Sequence, residues 1–275
     1  MPEGHTLFRL ARRQHAAFAG REVRVSSPQG RFARGAELID GRVLDEVTSY
    51  GKHLFARFGP DTVHVHLGLY GKYTSGTGEP PEPRGALRMR WVGPGPHGEG
   101  VWTDLRGATA CELLDEEQVA RLLDRLGPDP LRVRGGAAGT HDSDRAFRRI
   151  SRSRTAVGAL LMDQSVVAGI GNVYRAEVLF RQQISPFRPG REITADVWEP
   201  LWADVVTLMR AGARAGRIVT TRPSDRARRT GRVTRDDAHY VYRRAGRPCR
   251  ICGTDVRTDV MVGRNLFWCP ACQPD

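Results

Sequence analysis

The sequence predicts an α+β fold with three parts: an N-terminal β-sandwich, a helical middle and a C-terminal β-hairpin that carries four cysteines. Short segments of alternating apolar residues, separated by glycine and proline turns, fill roughly the first 110 residues, as in a sandwich or barrel. Helical periodicity then dominates. Near the C-terminus, four cysteines follow the pattern C-x2-C-x16-C-x2-C. We therefore expect domains at 1–115, 116–238 and 239–273.

The N-terminal part begins with a helix and continues as strands. Apolar residues recur at helical spacing from Leu7 to Phe18, and Gly20 can end this helix. Strand-like segments follow at 21–27, 42–47, 52–58, 62–70, 86–92 and 100–105.

The middle part is predicted to be helical. We expect a helix over 111–127, two helices within 155–187 that are broken at Gly169–Gly171, with the second starting near Asn172, and a further helix over 195–216. The segment 222–235 holds six arginines and no long aliphatic run, which predicts a mobile loop.

The charge balance indicates an anionic partner. The chain has 43 Lys and Arg against 31 Asp and Glu, a formal net charge of +12. Such an excess attracts polyanions through counterion release, and arginine suits bidentate contacts to phosphate, so nucleic acid is the leading partner. No apolar run is long enough to span a bilayer, and the N-terminus lacks a signal-peptide pattern. We expect a soluble intracellular protein without membrane contact.

The paired cysteines predict a metal site. Two C-x2-C pairs at this separation are typical of zinc, and four thiolates close the coordination shell, so the zinc is structural. Two disulfides are the alternative, but they suit small secreted domains rather than this chain. We expect one zinc ion, bound by Cys249, Cys252, Cys269 and Cys272.

Two further motifs each have a structural and a chemical interpretation. Pro2 can simply occupy the first helical position, where a missing N–H costs nothing. In AGIGNVYRAE (168–177), the glycines before a helix can expose backbone N–H groups to a phosphate, with Asn172 adding its amide. The same glycines can equally form an ordinary tight turn between two helices.

Six segments, taken together and in order, resemble the formamidopyrimidine-DNA glycosylase/endonuclease VIII family of base-excision enzymes with associated lyase activity. They are MPEG at the start, YGKHL around Lys52, HLGLYG at 66–71, RLGPDPL at 125–131, LLMDQSVVAGIGNVYRAEVLF at 160–180 and the cysteine segment with GRNLFWCPAC. The resemblance covers essentially the whole chain. It implies that the middle part is a helix-two-turn-helix domain.

The resemblance also implies four catalytic residues. Pro2, exposed once Met1 is removed, would attack C1′ of the damaged nucleotide and form a cationic Schiff base. An α-amine has a pKa of roughly 7.7–8.0 against about 10.4 for a lysine, so far more of it is neutral at pH 7, and the following helix N-terminus should lower its pKa further. Glu3 would act as general acid and base. Lys52 would contact a phosphate or assist elimination, and Arg264 would hold the phosphates that flank the lesion.

Four other residues are expected to contact DNA. Leu69 would fill the gap left by the flipped base, with Tyr70 beside it. However, the alternation in 62–70 also allows Leu69 to be a core residue at a strand end. By resemblance, Asn172 would hold a phosphate and Arg125 would touch the DNA.

The chain departs from the family pattern at three places. Thr6 stands where many members have a glutamate, and Gly68 stands where endonuclease VIII types often have glutamine. The segment DLRGATA at 104–110 lacks the phenylalanine of the purine-directed branch, which would stack against the base opposite the lesion. The missing phenylalanine, together with MPEG at the start and Leu69-Tyr70, favours the endonuclease VIII-like branch and oxidised pyrimidines.

We therefore expect a bifunctional DNA glycosylase and AP lyase that acts as a cytoplasmic, nucleoid-associated monomer. Its partner would be damaged DNA, as duplex and also in bubble or single-stranded form. One alternative keeps the chemistry but changes the substrate to 8-oxoguanine and formamidopyrimidines. An alternative of another class is a zinc-ribbon protein that binds DNA without catalysis.

Overall fold

The computed structural model describes residues 2–132 and 137–274, without the side chains of 137–141, and the chain divides into two units between Arg125 and Leu126. The elements of the first unit are α1 (Gly4–Phe18), β1 (Arg21–Ser26), α2 (Ala33–Ile39), β2 (Arg42–Leu44), β3 (Glu46–Tyr50), β4 (His53–Phe58), β5 (Asp61–His66), β6 (Lys72–Thr77), β7 (Leu87–Pro94), β8 (Gly100–Arg106), β9 (Ala110–Leu114) and α3 (Glu116–Asp124).

Two antiparallel sheets form the first unit and confirm the predicted sandwich. One sheet has the order β2-β1-β7-β8-β6 and the other β3-β4-β5-β9. Apolar residues of both sheets and of α1 form one buried cluster. Trp91 of β7 lies at its centre, with the rings of Phe18 and Phe58 edge-on at 5.8 and 6.0 Å. Fully burying such side chains contributes about 1.5–3 kcal/mol each.

The segment 111–114 is a strand, not part of the predicted helix. Cys111 pairs with Val65 of β5, so this run continues the sheet. Asp115 then starts α3 with a capping box: its carboxylate accepts from the Gln118 backbone at 2.7 Å, and the Gln118 side chain accepts from the Asp115 backbone at 2.9 Å. Helix α3 packs on β5 and β9, so the first unit extends past the predicted boundary at 115.

The second unit contains the helices and the C-terminal hairpin. Its elements are α4 (Ala137–Ile150), α5 (Val157–Leu160), α6 (Asn172–Arg181), α7 (Ala195–Ala215), β10 (Arg257–Met261) and β11 (Arg264–Trp268), with short 3-10 turns at Gly190–Glu192, Pro223–Asp225 and Asp236–Ala238. No helix in the described ranges is both long and apolar enough to cross a membrane.

The first of the two helices predicted within 155–187 is only one turn long. After α5 the chain folds back on the Gln164 side chain, whose amide donates to the carbonyls of Met162 and Ile170 and accepts from the backbone of Gly169. Gly169 has a φ of 93°, which favours glycine. The amide thus replaces helical hydrogen bonds and directs the chain into α6, which starts at Asn172 as predicted.

The arginine-rich segment 222–235 lacks regular structure apart from one 3-10 turn. Asp237, which is buried, accepts hydrogen bonds from the Ala227 backbone at 3.3 Å and from the Thr234 hydroxyl at 3.1 Å. The Tyr240 hydroxyl donates to Asp225 at 2.6 Å. These contacts hold both ends of the segment, and its predicted mobility stays a prediction.

Candidate active site and zinc centre

Pro2 lies before helix α1 rather than inside it. The helix begins at Gly4, and Glu3 is its N-cap residue in an extended conformation. A first-turn proline therefore does not explain Pro2. Its side chain is half-buried, whereas Glu3 is fully buried. Pro2 therefore directly precedes the N-cap of α1, the end of the helix that carries the positive partial charge.

His5 lies in the first turn of α1 and was not identified from the sequence as a site residue. It is buried, and burial lowers its pKa to about 4. His5 is therefore neutral near pH 7. A lone histidine in a helical pattern gives no signal that distinguishes this position from a core residue.

Lys52 lies in a turn and not at the predicted strand start. Tyr50 of β3 pairs with His53 of β4, which leaves Gly51 and Lys52 as a two-residue hairpin loop. Gly51 has a φ of 55°, as required at the first central position of a type II′ turn. The turn presents a half-buried Lys52 at the end of the sheet.

Leu69 and Tyr70 lie on an exposed loop, and the core alternative for Leu69 is wrong. Strand β5 ends at His66, so the alternation stops after Leu67, which is 2% exposed. Leu69 and Tyr70 are 40% and 84% exposed. Their placement on a tight loop next to a strand end suits insertion into a partner.

The structure explains why glycine occupies position 68. Gly68 has a φ of 65°, and a Cβ atom there would lie 1.9 Å from the Thr109 hydroxyl oxygen. A glutamine at this position would require the loop and Thr109 to move. Arg125, in contrast, is an exposed residue that ends α3.

In the second unit, Asn172 and Arg175 of α6 hold the tip of the C-terminal hairpin. The Asn172 amide donates to the Asn265 carbonyl at 2.9 Å and accepts from Arg175. Arg175 is fully buried and donates to the Met261 carbonyl at 3.3 Å. Because Arg264 lies between these two anchored carbonyls, its position is fixed relative to Asn172. The predicted phosphate ligand Asn172 is therefore also a structural residue.

Glu177, also on α6, fixes the chain that leads into the cysteine segment. This buried carboxylate accepts from the backbone N–H groups of Tyr240, Val241 and Tyr242, each at 2.8 Å, and from the Thr220 hydroxyl. Several hydrogen bonds satisfy the buried charge, so removal of Glu177 would leave three backbone donors unpaired. Neither Glu177 nor Arg175 was identified from the sequence, since the backbone groups that they bind lie more than sixty residues away in the chain.

The four C-terminal cysteines fit one structural zinc ion. Their sulfur atoms all lie within 4.8 Å of one another. The Cys249–Cys272 and Cys252–Cys269 sulfur pairs are 3.9 and 3.4 Å apart, near the ~3.8 Å of a tetrahedral site with Zn–S bonds of about 2.3 Å. They are too far apart for disulfides, so that alternative is wrong. The hairpin β10–β11 rises between the two pairs, as predicted.

The remaining cysteine belongs to a different environment. Cys111 is buried in the core of the first unit, and burial raises the pKa of its thiol to about 12. It is therefore a packing residue rather than a reactive or metal-binding one.

Comparison with known proteins identifies the same three parts along the chain. Family models match for the formamidopyrimidine-DNA glycosylase N-terminal domain (residues 1–111), the formamidopyrimidine-DNA glycosylase H2TH domain (126–224) and the zinc finger found in FPG and IleRS (246–274).

Curated relatives match over nearly the full length of the chain. Endonuclease 8 1 of Mycobacterium tuberculosis is 50% identical, over 99% of this chain and 100% of the relative. Formamidopyrimidine-DNA glycosylase of Thermus thermophilus is 34% identical, over 99% of this chain and 98% of the relative. The crystal structure of the MutM (Fpg) protein from Thermus thermophilus superposes with a TM-score of 0.75 at 28% identity, covering 100% of this chain and 99% of that one.

Proposed function

Since the chain belongs to the formamidopyrimidine-DNA glycosylase/endonuclease VIII family, we propose that it removes oxidised bases from DNA and then cleaves the strand through a Schiff base on Pro2. It is a bifunctional DNA glycosylase and AP lyase of base excision repair. The observation that carries the assignment of Pro2 is its place outside helix α1, half-buried beside the fully buried Glu3.

The reaction begins at the Pro2 nitrogen once Met1 has been removed. Its lone pair attacks C1′ of the damaged nucleotide, and the glycosidic bond breaks with its electron pair leaving on the base, which takes up a proton. The amine loses its proton, and its lone pair then expels the ring oxygen from C1′; O4′ takes up a proton, and the open-chain sugar is left as an iminium ion. This cation withdraws electrons, so loss of a proton from C2′ breaks the C3′–O bond, and loss of a proton from C4′ then breaks the C5′–O bond, with each phosphate leaving with the electron pair. A secondary amine is sufficient, because it still forms a cationic iminium.

Glu3 is the proton carrier in this scheme. It adjoins Pro2 in the chain and is fully buried. A carboxyl group kept out of water can deliver a proton to the sugar oxygen or to the base and recover one later.

Lys52, Arg264 and Asn172 bind the DNA backbone. Lys52 is displayed on a type II′ turn, and Arg264 follows the hairpin turn that Asn172 and Arg175 anchor. Arg125 adds an exposed positive charge. Leu69 and Tyr70 fill the gap left by the flipped base, which offsets part of the cost of unstacking. We also infer that the enzyme acts as a monomer in the cytoplasm, at the nucleoid.

Oxidised pyrimidines are the proposed substrates. The 50% identity to an endonuclease 8 supports this class, as does the absence of phenylalanine from the segment 104–110. Formamidopyrimidines and 8-oxoguanine are the second candidate, supported by the 34% identity to a formamidopyrimidine-DNA glycosylase. The non-catalytic alternative is wrong, because enzymes match the chain over nearly its whole length.

A panel of duplex, bubble and single-stranded oligonucleotides, each with one defined lesion, tests the substrate class. We expect excision of oxidised pyrimidines at least about tenfold faster than excision of 8-oxoguanine, a difference of roughly 1.4 kcal/mol in transition-state binding. An abasic oligonucleotide is the control, since its cleavage needs no base recognition. Faster excision of 8-oxoguanine than of every oxidised pyrimidine would assign the chain to the second candidate.

The variant Glu3→Gln separates base removal from strand cleavage. We expect it to slow excision of an intact damaged base by about 100-fold or more, the usual contribution of a general acid, while it spares much of the cleavage of abasic DNA. The reason is that an abasic aldehyde can react with the amine without departure of a base. Equal losses on both substrates, with unchanged zinc content and melting temperature, would show that Glu3 has no separate role in base removal.

A further inference from the structure

Three histidines and a glutamate share one face of the four-stranded sheet. In its register, His53 of β4 lies opposite His66 of β5, and His64 of β5 lies opposite Glu112 of β9. Helix α3 covers part of β5 and β9, and its last residue is followed by Arg125.

Hydrogen bonds connect three of these residues in a row. The Glu112 carboxylate lies 2.8 Å from His64 Nδ1, and His64 Nε2 lies 2.8 Å from His53 Nδ1. His64 is only 3% exposed, and Phe55 stacks on its ring at 5.4 Å. Packing and hydrogen bonding therefore both fix the His64 ring.

Because a carboxylate only accepts hydrogen bonds, Glu112 determines which nitrogen donates and which accepts in each hydrogen bond of this row. Burial lowers the pKa of His53 to about 3 and also lowers the pKa of His64, so each ring is neutral and carries one N–H. The Glu112 carboxylate can only accept, so His64 donates from Nδ1 and must accept at Nε2. His53 then donates from its own Nδ1. The lone pair of the row is left at its far end, on His53 Nε2.

His53 directly follows Lys52 in the chain, where the two-residue loop Gly51–Lys52 meets β4. Positive charge on Lys52 contributes to the lowered pKa of both His53 and His66, so its ammonium group lies within electrostatic range of the two rings. The other charged or titratable groups that act on His53 are His64, His66 and Arg125. A neutral imidazole protonated at Nδ1 has the negative end of its dipole at Nε2, which attracts a nearby cation.

We propose that Glu112, His64 and His53 are positioning residues. They keep the lone pair of His53 Nε2 available to attract the Lys52 ammonium group, and this attraction orients the ammonium group for the DNA backbone. The proposal rests on the phosphate-binding role of Lys52 in the proposed function. If the proposal is right, the donor-to-acceptor direction of these hydrogen bonds, and not only their presence, determines how well Lys52 binds DNA.

The variant Glu112→Lys reverses the donor and acceptor roles in this row of hydrogen bonds. An ammonium group can only donate, so His64 must accept at Nδ1, and both histidines then carry their proton on Nε2. The side chain of Glu112 is 53% exposed, so a lysine fits without burial of its charge. We expect histidine 15N shifts to report Nδ1–H for His53 and His64 in the native protein and Nε2–H in the variant. We expect KM for abasic DNA to rise about tenfold with kcat little changed.

Glu116→Lys is the matched control, because it makes the same charge change on an exposed residue of α3 outside the row. Added positive charge alone strengthens DNA binding, so this control should not raise KM. Unaltered histidine tautomers in Glu112→Lys would contradict the claim that Glu112 sets the tautomers of His64 and His53. Reversed tautomers with the KM of the control would overturn the link to Lys52. Failure of the native protein to form a borohydride-trapped complex would instead contradict the proposed function, which the tautomer measurement does not test.

Discussion

Borohydride should trap a covalent complex between the native protein and abasic DNA, and we expect no such complex when the Pro2 nitrogen is blocked. A non-removable N-terminal extension or retention of Met1 converts this amine into an amide, which has no nucleophilic lone pair. Strand cleavage should fall by about three or more orders of magnitude, as for loss of other catalytic nucleophiles. Gel mobility of the reduced complex and the cleavage rate measure the effect.

The blocked protein should otherwise be intact. Pro2 precedes helix α1 and is only half-buried, so zinc content and melting temperature should match those of the native protein. Efficient trapping by the blocked protein would move the nucleophile to a lysine, with Lys52 and Lys72 as the candidates.

Replacement of Cys269 by serine should have the second-largest effect. Cys269 is fully buried at the zinc centre, and a structural zinc in small modules contributes about 10–16 kcal/mol of binding free energy that is coupled to folding. We expect zinc to fall from one ion per chain to almost none. DNA affinity should fall at least about tenfold, because the hairpin that carries Arg264 loses its base.

Cys111→Ala provides the matched control for this variant. It removes the thiol that lies in the core of the first unit, outside the zinc centre, and should keep both zinc and DNA affinity. Loss of zinc from Cys269→Ser without any change in DNA binding would separate the hairpin from the DNA interface and contradict the role of Arg264.

Local sequence patterns predicted most elements of the fold. Strands with one buried face and helix α7 have clear periodicities, and the four cysteines have a spacing that few other structures use. The helix prediction was wrong at 111–114 because a short apolar segment is compatible with both helix and strand. Only its pairing with β5 determines that it is a strand. The prediction of a longer helix before Gly169 was wrong because the Gln164 side chain competes for the backbone groups of that segment.

The candidate site was predictable one residue at a time, but not as a set of contacts. Motifs marked Pro2, Lys52 and Arg264 as candidates, and their roles stay predictions. The anchoring of the hairpin by Arg175 depends on a carbonyl 86 residues later in the chain, and the row from Glu112 to His53 depends on the register of three strands. No local pattern records such distances, so only the folded structure reveals these supporting residues.

The most direct test of the central claim is to locate the sugar adduct in the reduced protein–DNA complex. After nuclease and trypsin digestion, tandem mass spectrometry of the native protein should place the reduced sugar remnant on the nitrogen of Pro2, in the N-terminal peptide PEGHTLFR at 2–9. An adduct on a peptide that contains Lys52 or Lys72, with the N-terminal peptide unmodified, would contradict the assignment of Pro2 as the nucleophile.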